Sequence, residues 1–274
     1  MISIASGGAL YREDLYALTI AVINREGSSH GIFIPFLSAY LLWIRFDRIK
    51  AIRPQASLLP GGVMVLAGLL LFFLGKNTGF QVSVLSYLCI VGALILVLLG
   101  KDVFKEVAFP LFFLATMIPL PTAVYSQIAY WMRQINTLGS VALVKSLGVP
   151  LYREGFDVYI PDLHLFVADG CSGIRYLLSY FTFSIIYAVL YKQSNYARLL
   201  VILGSIPLAV ISGTTRLAAI FLAAHFISPY WAGRQPHIYI SWIVFAVFLF
   251  GVTGVDQYAT RKLRKRREGE GLQR

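Results

Sequence analysis

The chain has 274 residues, 58% of them hydrophobic and only 14% charged, and the apolar residues gather in long blocks. A soluble domain of this length cannot hide that many. The composition therefore excludes a soluble globular enzyme and indicates an integral membrane protein, all-helical where it crosses the bilayer. The formal net charge of +11 raises nucleic acid as a partner, but the placement of the basic residues argues for membrane lipid and against nucleic acid.

Residues 1–10 lack a basic leader and a cleavage pattern, so no secretory signal peptide is expected. Residues 15–23 are apolar but too few to cross a hydrocarbon core, which takes about 20 helical residues; they predict an interfacial helix or the remnant of a longer first span. Ser28, Ser29, His30 and Gly31 precede a short crossing over residues 32–44, which ends in Arg45, Arg48, Lys50 and Arg53. Residues 58–75 and 80–99 read as clear spans, and 107–120 as another, closed by Pro119 and Pro121. Residues 122–148, with Gln127, Arg133, Gln134, Asn136 and Lys145, predict a mixed helix lying at the interface. Residues 156–160 and 163–167 have strand-like composition about Pro161 and Asp162, which predicts a β-hairpin outside the bilayer.

Three further spans follow over residues 174–191, 199–226 and 238–255, and the chain ends in a basic tail. The expected architecture is an all-α polytopic membrane protein of about seven transmembrane helices, with an interfacial helix and a small extracytoplasmic hairpin-like segment. Residues 1–260 are expected to form a single transmembrane domain, and 261–274 a basic cytoplasmic tail. If the tail and alternate loops face the cytoplasm, that side holds Arg45, Arg48, Lys50, Arg53, Lys101, Lys105, Lys192, Arg198 and the tail's seven, fifteen of the 24 basic residues. The positive-inside rule then sets the protein in the plasma (inner) membrane with residues 122–168, His30, Cys171 and His237 on the outer side.

Asp169-Gly170-Cys171-Ser172-Gly173-Ile174-Arg175 is a short polar interruption opening a long apolar run. A thiol at a helix N-terminus sees the positive end of the macrodipole, which favours thiolate. Arg175, one helical turn on, would act in the same sense. The plainer alternative is a small buried cysteine beside a tight Gly-Ser turn. At about 1.5 Å of rise per residue, Cys171 lies roughly 32 Å from Lys192, and Arg216 roughly 27 Å from Arg198, against a core of about 30 Å. His237 directly precedes the final span, so Cys171, Arg216 and His237 are expected at one depth near the outer surface. Arg216 could snorkel or act as structural glue, but an arginine inside an apolar segment costs a few kcal/mol, which makes function the default hypothesis. His237 could be only a loop residue beside Pro236. Together the three groups could make a nucleophilic acyl-transfer site. Cys171 would attack a peptide carbonyl, His237 would move the proton, and Arg216 would stabilise an oxyanion or hold a carboxylate. Ser172, Arg175 and His30 are candidate supporting groups. The second cysteine, Cys89, lies inside an apolar block; no disulfide framework, metal-ligand spacing or cofactor motif is evident.

At several ordered points the sequence resembles the exosortase/archaeosortase family of membrane-embedded cysteine transpeptidase-like enzymes. Ser29-His30-Gly31 with Pro35 and Tyr40-Leu41-Leu42-Trp43 is similar to its SHG-x-x-x-P…YLLW start, and Pro119-Leu120-Pro121 to its PLP element. Leu147-Gly148-Val149-Pro150 with Arg153-Glu154-Gly155 resembles LGVP…REG, and Cys171-Ser172-Gly173 its nucleophile motif E-A-C-S-G. Pro207, Ala209 and Arg216 resemble P-x-A…N-x-x-R, and His237, Trp242 and Phe245 the terminal H…GW-x-x-F. The resemblance implies Cys171 as nucleophile with Arg216 and His237 as the other catalytic residues. It also implies substrates that are secreted proteins with a C-terminal sorting tail of motif, apolar helix and basic residues. Asp169-Gly170 replaces the usual Glu-Ala, Gly213 the usual asparagine and Ser241 the usual glycine. Two other readings stay open at this point. One is a transporter or lipid-handling protein in which Arg216 binds an anionic substrate; the other is a catalytically silent assembly partner.

Overall fold

The computed structural model describes residues 10–24, 29–161, 163–192, 194–233, 238–251, 253–254 and 257. The chain is mostly helical and divides into two compact units, Met1–Tyr125 and Ser126–Arg274. The basic tail expected over 261–274 lies outside the described residues.

The first unit contains α1 (Arg12–Asn24), α2 (Ile34–Ile44), α3 (Phe46–Ala51), α4 (Leu58–Thr78), α5 (Phe80–Leu98) and α6 (Lys101–Phe113). Helices α4 and α5 are joined through Gly79 alone, whose φ of 137° suits glycine. In a membrane, helices associate by close backbone approach rather than by hydrophobic exclusion, so small residues mark the seam. Here Gly61, Gly68 and Gly75 are buried on one face of α4. A Cβ at these positions would come within 2.4 Å of Val97, 2.7 Å of Ile90 and 2.4 Å of Ser83. The partners recur at the same heptad interval on α5, which keeps one seam in contact along both helices. Helix α1 packs Leu18 and Val22 against Val84. The Tyr11 hydroxyl meets Ser86 Oγ at 2.7 Å, and Ser86 in turn donates to the Gly68 carbonyl at 2.8 Å.

Pro110 sits inside α6 and cannot donate to the carbonyl four residues earlier. That carbonyl, of Glu106, accepts instead from Arg45 Nη1 at 2.9 Å. Arg45, expected only as a topology charge, thus fills the hydrogen bond that proline removes. Ser38 donates to the Pro110 carbonyl at 2.7 Å.

The second unit holds most of α7 (Thr122–Ser146), then strands β1 (Tyr152–Glu154), β2 (Asp157–Ile160) and β3 (Leu163–Phe166). Helices α8 (Ile174–Tyr191), α9 (Asn195–Phe226) and α10 (Ile238–Gly251) follow. The strands form an antiparallel sheet in chain order. The expected hairpin is β2–β3, pairing Val158 with Leu165 and Ile160 with Leu163. An unforeseen β1 adds to it through the turn at Gly155, with Tyr152 opposite Tyr159. Val158 and Ile160 point into a core with Val141 and Val144 of α7 and Leu217 and Phe221 of α9. A second cluster joins Met132, Tyr180 and Ala209, with Phe245 of α10 packed against it.

The span count differs from the expected seven. Four helical stretches are long and apolar enough to cross a bilayer: α4, α5, Asp169–Tyr191 and α9. A fifth arises if Lys101–Met117 and Thr122–Ser146 form one broken span. The other expected crossings give short helices. α2 runs only 11 residues before Arg45 closes it. The helix after Lys101 ends in a 3₁₀ turn at Leu114–Met117, beyond which Ile118 is extended, as the residue before a proline prefers. α10 is likewise short among the described residues. The segment read as an interfacial helix is α7, 25 residues long, with a continuous buried face of Ala129, Met132, Arg133, Asn136, Thr137, Ser140, Val141 and Val144.

The glycine seam makes a direct prediction. Gly75→Val drives a side chain into the Ser83 backbone 2.6 Å away, and should destabilise by about 1–3 kcal/mol, as overpacking does. Gly62→Val on the same helix meets nothing within 4 Å. Thermal unfolding in detergent should show a lowered midpoint for Gly75→Val and not for Gly62→Val.

Candidate functional site

Cys171 ends a short 3₁₀ turn, Asp169–Cys171, and Gly173 at φ 85° then turns the chain into α8. The cysteine was expected at the helix start itself, in helical register with Arg175. The left-handed Gly173 breaks that register. Cys171 therefore precedes the helix in a separate turn, while Arg175 lies exposed in the first turn of α8. Cys171 is partly buried and packs against the core formed by the sheet, α7 and α9.

The turn is held from several directions. The Cys171 and Ser172 amides donate to the Ala168 and Asp169 carbonyls at 2.9 and 3.0 Å. From α9, Arg216 Nη2 donates to the Cys171 carbonyl at 2.6 Å. Arg216 is only 3% exposed, and its guanidinium lies 5.1 Å from the Tyr176 ring centre. The two residues, expected at one level, are in direct contact although they stand 45 positions apart. A cation so deeply placed needs acceptors and polarisable surface. The carbonyl takes Nη2 and the ring lies beside the guanidinium, while Nε has no hydrogen-bond partner among the described residues.

From α7, Arg133 Nη1 pairs with Asp169. Its guanidinium lies 3.6 Å from the Phe156 ring centre and 5.0 Å from that of Phe166. Among the described residues its Nε and Nη2 have no hydrogen-bond acceptor, so the aromatic faces serve in place of one. One turn along the same helix, Asn136 Nδ2 donates to the Ser172 carbonyl at 2.8 Å. Arg153 of β1 docks the sheet on α7 by donating to Gln134 Oε1 at 3.0 Å.

Helix α10 reaches the same region. Tyr176, the ring beneath Arg216, donates its hydroxyl to the Ser241 carbonyl at 3.3 Å. Tyr180 donates to the Phe245 carbonyl at 3.3 Å and stacks on that ring at 4.9 Å. His237 lies outside the described residues, immediately before α10. His30 falls in the 3₁₀ turn Ser29–Ile32 of the first unit, and its side chain is outside the described part. Ser172 is buried, with its Oγ 3.5 Å from the Ile174 amide that donates to it.

Arg133, Asn136 and Tyr176 are the contributors that sequence reasoning did not single out. The first two were read as polar residues of an interfacial helix. Their signal was the i, i+3, i+4, i+7 spacing of Arg133, Asn136, Thr137 and Ser140 along one helical face. Among the described residues, no group of His, Cys, Asp and Glu could hold a metal ion.

A family model described as transmembrane exosortase matches residues 22–254, most of the chain. The chain belongs to the transmembrane exosortase family. No curated protein and no solved structure matches it. Two departures from the family's usual residues have a structural counterpart. Asp169 is the partner of Arg133. At Gly213, a Cβ would come within 2.5 Å of Asn136 Nδ2; an amide from α7 occupies the space beside a position where this exosortase lacks the usual asparagine.

Gly173→Ala should both strain the left-handed backbone, by about 1–2 kcal/mol, and press on Asn136 Nδ2 at 2.7 Å. Gly148 has a similar φ of 86° with nothing within 4 Å. In thermal unfolding, Gly173→Ala should therefore lower the midpoint further than Gly148→Ala does.

Proposed function

We propose that this exosortase is a membrane-embedded cysteine protease/transpeptidase that cleaves the C-terminal sorting signals of secreted proteins at the extracytoplasmic face. The observation that carries the reading is the 2.6 Å contact of the buried Arg216 with the Cys171 carbonyl. It joins a cation to the turn that bears the thiol. Family membership supports protein substrates with sorting signals.

In this mechanism Cys171 attacks the scissile carbonyl as thiolate, and the carbonyl π electrons move to oxygen. Arg216, whose charge lies beside the turn, stabilises that developing negative charge. Collapse expels the amine of the C-terminal fragment, which takes its proton from His237. The secreted protein is left as a thioester on Cys171. Attack by water completes hydrolysis, and attack by an acceptor nucleophile completes transfer; either regenerates the thiol. The excess of basic residues in the loops assigned to the cytoplasm supports an outward-facing site. The transporter reading is weaker, because Arg216 is buried and engaged with the backbone rather than open to an anionic solute.

The test co-expresses the protein with a secreted protein of the same genome that ends in a motif, an apolar helix and a basic cluster. Cys171→Ala, Arg216→Ala and His237→Ala should each reduce processing by at least ~10³-fold, measured by mass spectrometry of the mature C-terminus. Undiminished processing in Cys171→Ala would overturn the assignment of the nucleophile.

A further inference from the structure

Resting on the reading of Cys171 as nucleophile, we infer that Asn136 is a positioning residue that sets the backbone turn from which the thiol projects. Asn136 is fully buried in α7 and reaches across to a carbonyl 36 positions later. The Ser172 carbonyl can only accept, so the amide nitrogen must face it. The opposite oxygen then faces α9, where Thr214 Oγ1 donates to it at 3.3 Å. One side chain thus needs a donor at one end and an acceptor at the other, in a fixed order.

The space around the amide is shaped to that group. A Cβ at Gly173 would approach Nδ2 to 2.7 Å, and one at Gly213 to 2.5 Å. Gly173 of the turn and Gly213 of α9 leave the room that this carboxamide occupies. Consecutive carbonyls of the turn are consequently tied from opposite sides, Cys171 by Arg216 of α9 and Ser172 by Asn136 of α7. Their amides are tied within the turn. With all four backbone groups engaged, the direction of the Cys171 Cα–Cβ bond is held both from within the turn and by α7 and α9.

The chemistry predicts which substitutions fail. Asn136→Asp is nearly isosteric but puts a carboxylate oxygen against the Ser172 carbonyl, acceptor facing acceptor. Asn136→Ala leaves the carbonyl unpaired. Thr214→Val keeps the shape at 214 and removes only the hydroxyl that orients the amide. The experiment uses the full chain in membranes, in a Cys89→Ser background so that Cys171 is the sole thiol. It reads the N-ethylmaleimide alkylation rate of Cys171, the kcat and KM for the same secreted substrate, and the folded fraction by size-exclusion chromatography.

Asn136→Asp and Asn136→Ala should lower kcat about a hundredfold, as a small misplacement of a reacting group does, with KM within about threefold. Both should also shift the Cys171 alkylation rate more than threefold. Thr214→Val should move each quantity in the same direction by less. A kcat that falls only in proportion to the folded fraction, or an alkylation rate unchanged in folded Asn136→Asp and Thr214→Val, would overturn the inference. Alkylation needs no turnover, so it tests the positioning of Cys171 even if Cys171→Ala were to process substrate normally.

Discussion

A guanidinium placed deep in an apolar helix cannot stand alone, and the arrangement of the second unit follows from how Arg216 is accommodated. Helix α9 is 32 residues long and overwhelmingly apolar, and Arg216 is among its buried positions. Leaving such a cation without acceptors would cost several kcal/mol. The backbone carbonyl of Cys171 and the face of Tyr176 meet part of that need, while Nε has no hydrogen-bond partner among the described residues. Because both belong to the turn and first helical turns around residues 169–176, the cation ties α9 to that segment. Tyr176 then passes the contact on to α10 through the Ser241 carbonyl. The opposite side of the same turn is braced from α7, where Arg133 and Asn136 engage Asp169 and Ser172. Three helices thus fix one short, otherwise irregular stretch.

The same scarcity of water governs the first unit, with different residues. A proline inside α6 leaves a carbonyl without its helical donor, and a charged side chain from the end of α2 supplies one. Where no polar group is available, close packing does the work. The glycines of α4 let α5 approach until a single added methyl would collide with Val97, Ile90 or Ser83. Among the described residues, polar side chains bond to backbone groups more often than to one another, as expected where unpaired peptide groups are expensive.

Such bracing restricts the turn that bears Cys171. A short loop is ordinarily free to sample several backbone conformations, each of which costs entropy to fix. Here the loop is short, bounded by a left-handed glycine, and engaged at successive carbonyls. The sheet lies directly before it in sequence, with Phe156 and Phe166 stacked on the arginine that holds Asp169. Arg133 thus contacts the sheet and the turn at once. The exposed, paired positions Tyr152 and Tyr159 fall on the outer face of that sheet, as the period-two alternation of strands requires.

Much was legible from residue pattern alone. Long apolar blocks, their interrupting charges and the Pro161 turn settled a helical membrane protein with a small β segment, because burial of backbone in lipid leaves few alternatives. Rise per residue alone placed Cys171 and Arg216 at one level, since helices have a fixed pitch. Other features depended on tertiary contact. Helical register between Cys171 and Arg175 reads well in one dimension, yet a single left-handed glycine cancels it. Arg133 and Asn136 looked like interfacial polar residues because nothing local distinguishes a solvated face from one turned inward. The apolar run over 107–120 reads as one span, yet α6 ends at Phe113 and passes into a 3₁₀ turn at Leu114–Met117 before the extended Ile118. The sequence by itself determined the solvent and the helical class, because long apolar blocks leave the backbone few alternatives. Only the tertiary structure decided which side chains hold the turn, because hydrogen bonds between residues 36 to 78 positions apart exist only once the helices have packed.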